Sequence, residues 1–261
     1  MSLARRKRDR ILAAQTISAA TAPVRGVAAA PAASPPRAAG ANASPADRAA
    51  AQIALRLTHD LRRLKEIRSI DKKIEAKREM LPEYRAWLEG VLEADAGLGT
   101  GLTAEVLPTC MVWLIDIGEY ARALDLADFM LRHNAPMPTR YKRDAATIVA
   151  EEVADAAAKV QNAGTAFPLN VLSHANDLTA DLDLHDQVRA KLLKAIGVEQ
   201  LRISERMVAE DSGPSLEATL ATLREAQRLH ERVGVKDRIK RADKLLAALP
   251  APEPNTSGTA A

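Results

Sequence analysis

Two pairs of carboxylates stand one helical turn apart, Glu75 with Glu79 and Glu151 with Asp155, Glu152 adjoining the second pair. Converging acids of this kind are what a metal-dependent nuclease needs to hold one or two divalent ions. The first pair is crowded by Lys72, Lys73, Lys77 and Arg78, and ion pairing along a helix surface accounts for it better. The five histidines show no metal-ligand spacing, and Cys110, the single cysteine, sits in the most apolar stretch as an inert core thiol. Gly97, Gly99 and Gly101 are not followed by the Lys-Ser or Lys-Thr of a phosphate-cradling loop. No catalytic residue and no metal ligand is therefore assigned. No cofactor is expected, and Mg²⁺ enters only if one acid pair is a nuclease centre.

A different chemistry is carried by cations. Residues 1–82 hold 17 Lys and Arg against 7 Asp and Glu, while the remaining residues hold 20 against 27. The overall +3 thus conceals +10 followed by −7, an asymmetry that points the amino-terminal third at a polyanion. One cluster is Arg5, Arg6, Lys7, Arg8 and Arg10; the other is Arg56, Arg62, Arg63, Lys65, Arg68, Lys72, Lys73, Lys77 and Arg78. Clustered Lys and Arg release counterions from phosphates, which gives salt-dependent and largely sequence-independent affinity for nucleic acid. A solvated coiled-coil face is the plainer alternative, because six acids are interleaved in residues 47–82.

The elements that must position these groups are helical. Alanine is about one residue in five and aromatics only 3%, which disfavours a sheet core, and no segment alternates as a strand would. Residues 1–46, basic and then rich in Ala, Pro, Ser and Thr, lack the large apolar side chains that offset ordering entropy and are expected to be a disordered arm. Their composition also imitates an organellar transit peptide. From 47 to 81 apolar residues recur every three or four positions, predicting one long basic amphipathic helix. Its stripe, Ile53, Leu57, Leu61, Leu64, Ile67 and Ile74, either joins identical chains as a coiled coil or packs on its own chain.

Residues 82–164 are expected to form a central helical domain: helices over 83–94, over 102–117 with a possible kink at Pro108, over 119–132, and over 144–161. Residues 165–249 are expected to add carboxy-terminal helical hairpins, one pair broken near Gly197 and the last split by Gly234. Residues 250–261 are expected to be a disordered tail. Trp113 to Ala127, with Gly118 at its turn, resembles the core of a tetratricopeptide repeat, with a weaker echo at Ser215 to Arg232. Two imperfect copies favour tightly packed hairpins over a solenoid. No run of about 18 apolar residues exists to span a membrane.

An ordered series of short segments carries a family resemblance. Lys77 to Pro82, Trp87, Gly90 to Glu93, Met111 to Gly118, Ala123-Leu124, Met137-Pro138, Glu151 to Ala154, Val188 to Leu192 and Val235-Lys236 together resemble the small terminase subunit of temperate, contractile-tailed bacteriophages, over roughly residues 55–248. The resemblance implies a subunit that binds double-stranded phage DNA at the packaging site. It also implies self-assembly into an oligomer and delivery of the DNA to a large, ATP-hydrolysing terminase subunit in the host cytoplasm. The family is often labelled the terminase endonuclease subunit, which keeps a metal-dependent endonuclease as the rival reading. A helical-repeat adaptor that binds only protein is a third.

Overall fold

The computed structural model describes residues 3–21 and 44–249, and among them every regular element is helical. Two compact units divide the chain, 1–149 and 150–261.

In the first unit, α1 (Leu3–Thr21) and α2 (Pro45–Glu66) are followed by α3 (Ile70–Met80), a 3₁₀ turn (Leu81–Glu83) and α4 (Arg85–Ala94). The α1 helix corrects the expectation of a disordered arm over 1–46. Its seat is α4, where Gly90 has no side chain: a Cβ there would lie 2.2 Å from the Arg10 carbonyl oxygen and 2.6 Å from the Ala13 Cβ. Backbones that meet so closely let small residues fill the contact, so Ala13 and Ile17 are fully buried without bulky partners. Residues 22–43, the Pro-rich part of the arm, lie outside the described residues, as does the tail over 250–261.

Ser44 and Asp47 form a capping box at the start of α2, the Ser44 hydroxyl accepting from the Asp47 N–H at 3.1 Å. The hydroxyl and backbone N–H of Ser44 bond the Asp47 carboxylate and hold it below the usual aspartate range. The Thr16 hydroxyl of α1 lies 3.1 Å from the Ala46 carbonyl oxygen.

The long helix expected over 47–81 is two helices. Ile67 and Ser69 take extended backbone angles, and Ser69 restarts the chain as the cap of α3, its hydroxyl accepting from Lys72 N–H. A straight helix of that length would run past the unit; the break turns α3 so that Ala76 and Met80 are buried. Its apolar stripe serves its own chain. Ile53, Leu57 and Leu64 are core residues, with Leu61, Ile67 and Ile74 partly covered, so the coiled-coil alternative loses its buried seam.

The remaining helices of the unit are α5 (Gly101–Ala104), α6 (Val106–Ile117) and α7 (Tyr120–Arg132). Pro108 falls in the first turn of α6, where its missing N–H costs nothing, so it starts a helix and kinks none. Gly118 ends α6 at φ 85, the left-handed turn from which α7 returns as the second arm of a hairpin. Tyr84 is wholly buried, meets Trp113 edge to face at 5.8 Å, and donates to Asp60 at 2.7 Å, tying α2 to the turn after α3. Burial pushes the phenol of Tyr84 and the thiol of Cys110 far above their ordinary pKa, leaving both neutral in the core.

The division between units falls inside α8 (Ala145–Asn162). The second unit continues with α9 (Leu169–Thr179), α10 (Asp186–Ser204), α11 (Ala209–Leu229) and α12 (Lys236–Ala247). The break expected near Gly197 does not occur. Gly197 sits mid-helix in α10, and a Cβ there would meet Leu223 of α11 at 2.5 Å, so this glycine serves a helix crossing and ends nothing. Glu199, 2% exposed, accepts from the Gln161 amide at 2.9 Å and the Phe167 N–H at 3.1 Å, joining α10 to the segment after α8.

Gly90→Val is expected to displace α1, cost about 1–3 kcal/mol of stability, and remove amide-exchange protection from Ala13 and Ile17 while Leu114 and Leu124 stay protected. Retained protection at Ala13 would show that the α1–α4 contact does not depend on the missing side chain.

Candidate nucleic-acid interface

The ion pairs sort the cations of the first unit into structural and available groups. Arg56 bonds Glu83 at 2.7 Å and Arg63 bonds Glu79 at 2.7 Å. Lys77 reaches Asp116 at 2.5 Å with its side chain only 15% exposed, and Arg78 donates to the Ile117 carbonyl at the end of α6. Arg10 is partly buried and pairs with Glu93 at 3.1 Å. These five hold helices together. Lys73 is partly covered, and the side chain of Arg5 lies outside the described residues.

Four of the remaining cations stand at one bend. Arg62 and Lys65 occupy the last turns of α2, Arg68 lies in the three-residue break, and Lys72 starts α3; all four are exposed and none has a carboxylate partner among the described residues. Arg62 and Lys65, three apart, share a helix face. Helix α1 extends this surface. Thr16 meets Ala46 at the start of α2, while Arg6 lines a cleft with Gln52 and Arg56 further along, so α1 runs antiparallel to α2. Exposed Arg6, Lys7 and Arg8 therefore lie toward the elbow end of α2, Arg8 being 3.7 Å from Asp9. From Arg56 to Lys65 is roughly 14 Å along a helix. The first unit thus presents two basic groups, Arg6, Lys7 and Arg8 at the start of α1 and the four cations of the elbow.

Three of the acids weighed for nuclease chemistry are held in ion pairs. Glu79 belongs to Arg63; Glu151 and Asp155 receive Lys191 at 3.0 and 3.2 Å. No three His, Cys, Asp or Glu side chains come together as a metal-holding group among the described residues. Cys110 is buried. No described helix is long and apolar enough to cross a membrane. Missed from sequence were the docking of α1 on α4 and the elbow itself. Ser69, a preferred cap residue followed by Asp71 in the first turn, was the available signal for the elbow.

Among the described residues, fold and surface together define an all-helical protein whose amino-terminal unit presents exposed cations where α2 meets α3. A family model described as the phage small terminase subunit matches residues 54–187, from within α2 to the start of α10. The chain is also 36% identical over 206 residues to the "Terminase, endonuclease subunit" of Escherichia phage P2, covering 79% of this chain and 78% of that protein. It is 26% identical to the "Probable terminase, endonuclease subunit" of Haemophilus phage HP1, covering 76% and 71%. The chain belongs to the phage small terminase subunit family. No solved structure matches it.

Lys77→Ala is expected to lower stability by about 1 kcal/mol because it strands Asp116, whereas Lys72→Ala should leave the urea midpoint unchanged. Equal effects of the two would erase the distinction between structural and available cations.

Proposed function

We propose that this subunit binds double-stranded viral DNA through Arg6, Lys7, Arg8 and the elbow cations Arg62, Lys65, Arg68 and Lys72, and that it presents the DNA to a large terminase subunit for packaging. The observation that carries the reading is the elbow: four exposed cations within eleven residues, unpaired among the described residues, next to helices whose Arg56, Arg63 and Lys77 are held in ion pairs. Phosphate contacts of this kind set position on the duplex without reading bases. The packaging role supports a setting in the cytoplasm of the bacterial host. Arg56, Arg63 and Lys77, held in ion pairs, and Arg78, bonded to the Ile117 carbonyl, fasten the helices that carry these cations.

DNA binding through these cations requires no cofactor. Phosphodiester cleavage belongs, in this reading, to the large subunit or to the complex. The printed names of the phage P2 and HP1 relatives favour the second reading, an endonuclease acting with Mg²⁺. A gel that reports retardation and strand breakage together separates the two. Purified protein with phage DNA and Mg²⁺ should retard the duplex without cutting it. Cleavage lost on Glu75→Gln with Glu79→Gln, or on Glu151→Gln with Asp155→Asn, would make this chain the nuclease. Absence of duplex binding at physiological salt would favour a protein-binding adaptor.

Replacing Arg62, Lys65, Arg68 and Lys72 by Ala is expected to weaken binding about equally across DNA sequences. The slope of log K against log salt should shrink by about 3 to 4. An unchanged slope would move the DNA side elsewhere on the molecule.

A further inference from the structure

Helix α10 bears opposite charge at its two ends. Before its first turn, the ten residues Asp177 to Asp186 hold four aspartates and no Lys or Arg. All four are exposed and none forms an ion pair among the described residues, Asp186 feeling only the more distant Arg228. The segment is held in shape as a knuckle. Arg189 donates to the carbonyls of Thr179 at 2.7 Å and Leu182 at 2.9 Å, and Leu184 is buried beneath. That leaves Leu182 protruding among the acids, 39% exposed.

At the other end of the helix, α10 and α12 enclose an open cleft of about 880 Å³. Arg202 and Arg206 on one wall and Arg238 and Arg241 on the other stand over the apolar side chains of Leu201 and Leu245. Glu205 and Asp237 also line it; Arg241 pairs with Glu205 at 2.5 Å and Arg202 with the buried Glu199 at 3.5 Å, so Arg206 and Arg238 face Asp237 and the cleft keeps one positive charge in excess. Arg206 has no carboxylate partner among the described residues. Acids before a helix and bases at its end suit the helix dipole. The dipole does not call for an exposed leucine among the acids or an apolar floor between the arginines.

We propose that the Asp177–Asp186 knuckle of one copy docks in the α10–α12 cleft of another, Leu182 against the Leu201–Leu245 floor and the aspartates against the arginine walls. Within one chain the two surfaces are separated by sixteen residues of helix, roughly 24 Å, so the knuckle does not reach its own cleft. An apolar floor also distinguishes this occupant from a DNA backbone, which has nothing to place there. The contact is heterologous, head to tail, and such contacts propagate until they close into a ring or extend as a filament. Both surfaces lie in the second unit, and the interface does not depend on the DNA reading of the elbow.

The test is sedimentation equilibrium of the full chain with charge-changed variants, far-UV circular dichroism and thermal melts confirming the fold, and sedimentation repeated at raised salt. Wild type should associate with rising concentration, less at high salt. Asp181→Arg with Asp183→Arg, and separately Arg206→Glu with Arg238→Glu, should each leave monomers. In an equimolar mixture of the two variants the reversed knuckle meets a reversed cleft and the intact knuckle an intact cleft, so charge is matched at every contact and association should return. The milder pair Asp181→Asn with Asp183→Asn, both fully on the surface, should weaken association at least tenfold. A monomeric wild type, variants that keep the wild-type mass, or a mixture that stays monomeric would each overturn the proposal. So would cleft variants that lose duplex affinity while assembling normally, which would give the cleft to DNA. Loss of DNA binding in the elbow variant with assembly intact would leave this interface standing and fault neither reading.

Discussion

Close approach of helix backbones is the constraint on which this structure rests. The chain has two phenylalanines, two tryptophans and three tyrosines in 261 residues, so few side chains are large enough to fill space between widely set helices. It reaches density instead by bringing helices together where a side chain is missing or small. Gly90 receives the Arg10 carbonyl and Ala13; Gly197 receives Leu223. Around these crossings alanines become core residues, Ala13, Ala195 and Ala226 among them, each burying little area but leaving little gap. Tyr84 and Trp113 are the exception, an aromatic pair placed where four elements of the first unit meet.

Small-residue packing has a consequence for charge. Helices that come this close leave narrow flanks, and long basic side chains lie along them, their stems on apolar surface and their heads against a carboxylate of the neighbouring helix. Arg10 with Glu93, Arg56 with Glu83 and Lys77 with Asp116 are each of this type. Exposed pairs contribute little stability singly. Their effect is selective: they hold particular cations against a neighbouring element and leave Arg62, Lys65, Arg68 and Lys72 exposed at the elbow.

The helical class, the α6–α7 hairpin around Gly118 and the helix ends near Asn134 and Gly164 were legible in the sequence, because periodicity and left-handed stop residues are local signals. The docking of α1 was not. Residues 3–21 read as too polar and too small to order, and only the partner surface at Gly90 makes Ala13 and Ile17 sufficient. Gly197 misled for a related reason. A glycine within a helical pattern signals a break unless another helix occupies the space it leaves, and that neighbour, Leu223, is 26 residues away in sequence. The cationic list from sequence was complete in type but could not separate Lys72 from Lys77, since Asp116 lies 39 residues from the lysine it neutralises.

The matched family region ends at residue 187, the second residue of α10, so most of α10 and all of α11 and α12 lie beyond it. The charge balance made everything after residue 82 acidic, at −7, yet α12 alone carries Lys236, Arg238, Lys240, Arg241 and Lys244 against Asp237 and Asp243. Net charge over a long segment averages away such contrasts, because a helix end with four aspartates and a helix face with five cations cancel on paper while remaining about 24 Å apart in space. A polyanion responds to the sum over a Debye length, about 8 Å at physiological salt, and not to the sum over a domain. Each charged surface of this protein therefore acts at its own address. That is why a chain with a formal charge of only +3 can hold one surface suited to phosphates and two others suited to each other.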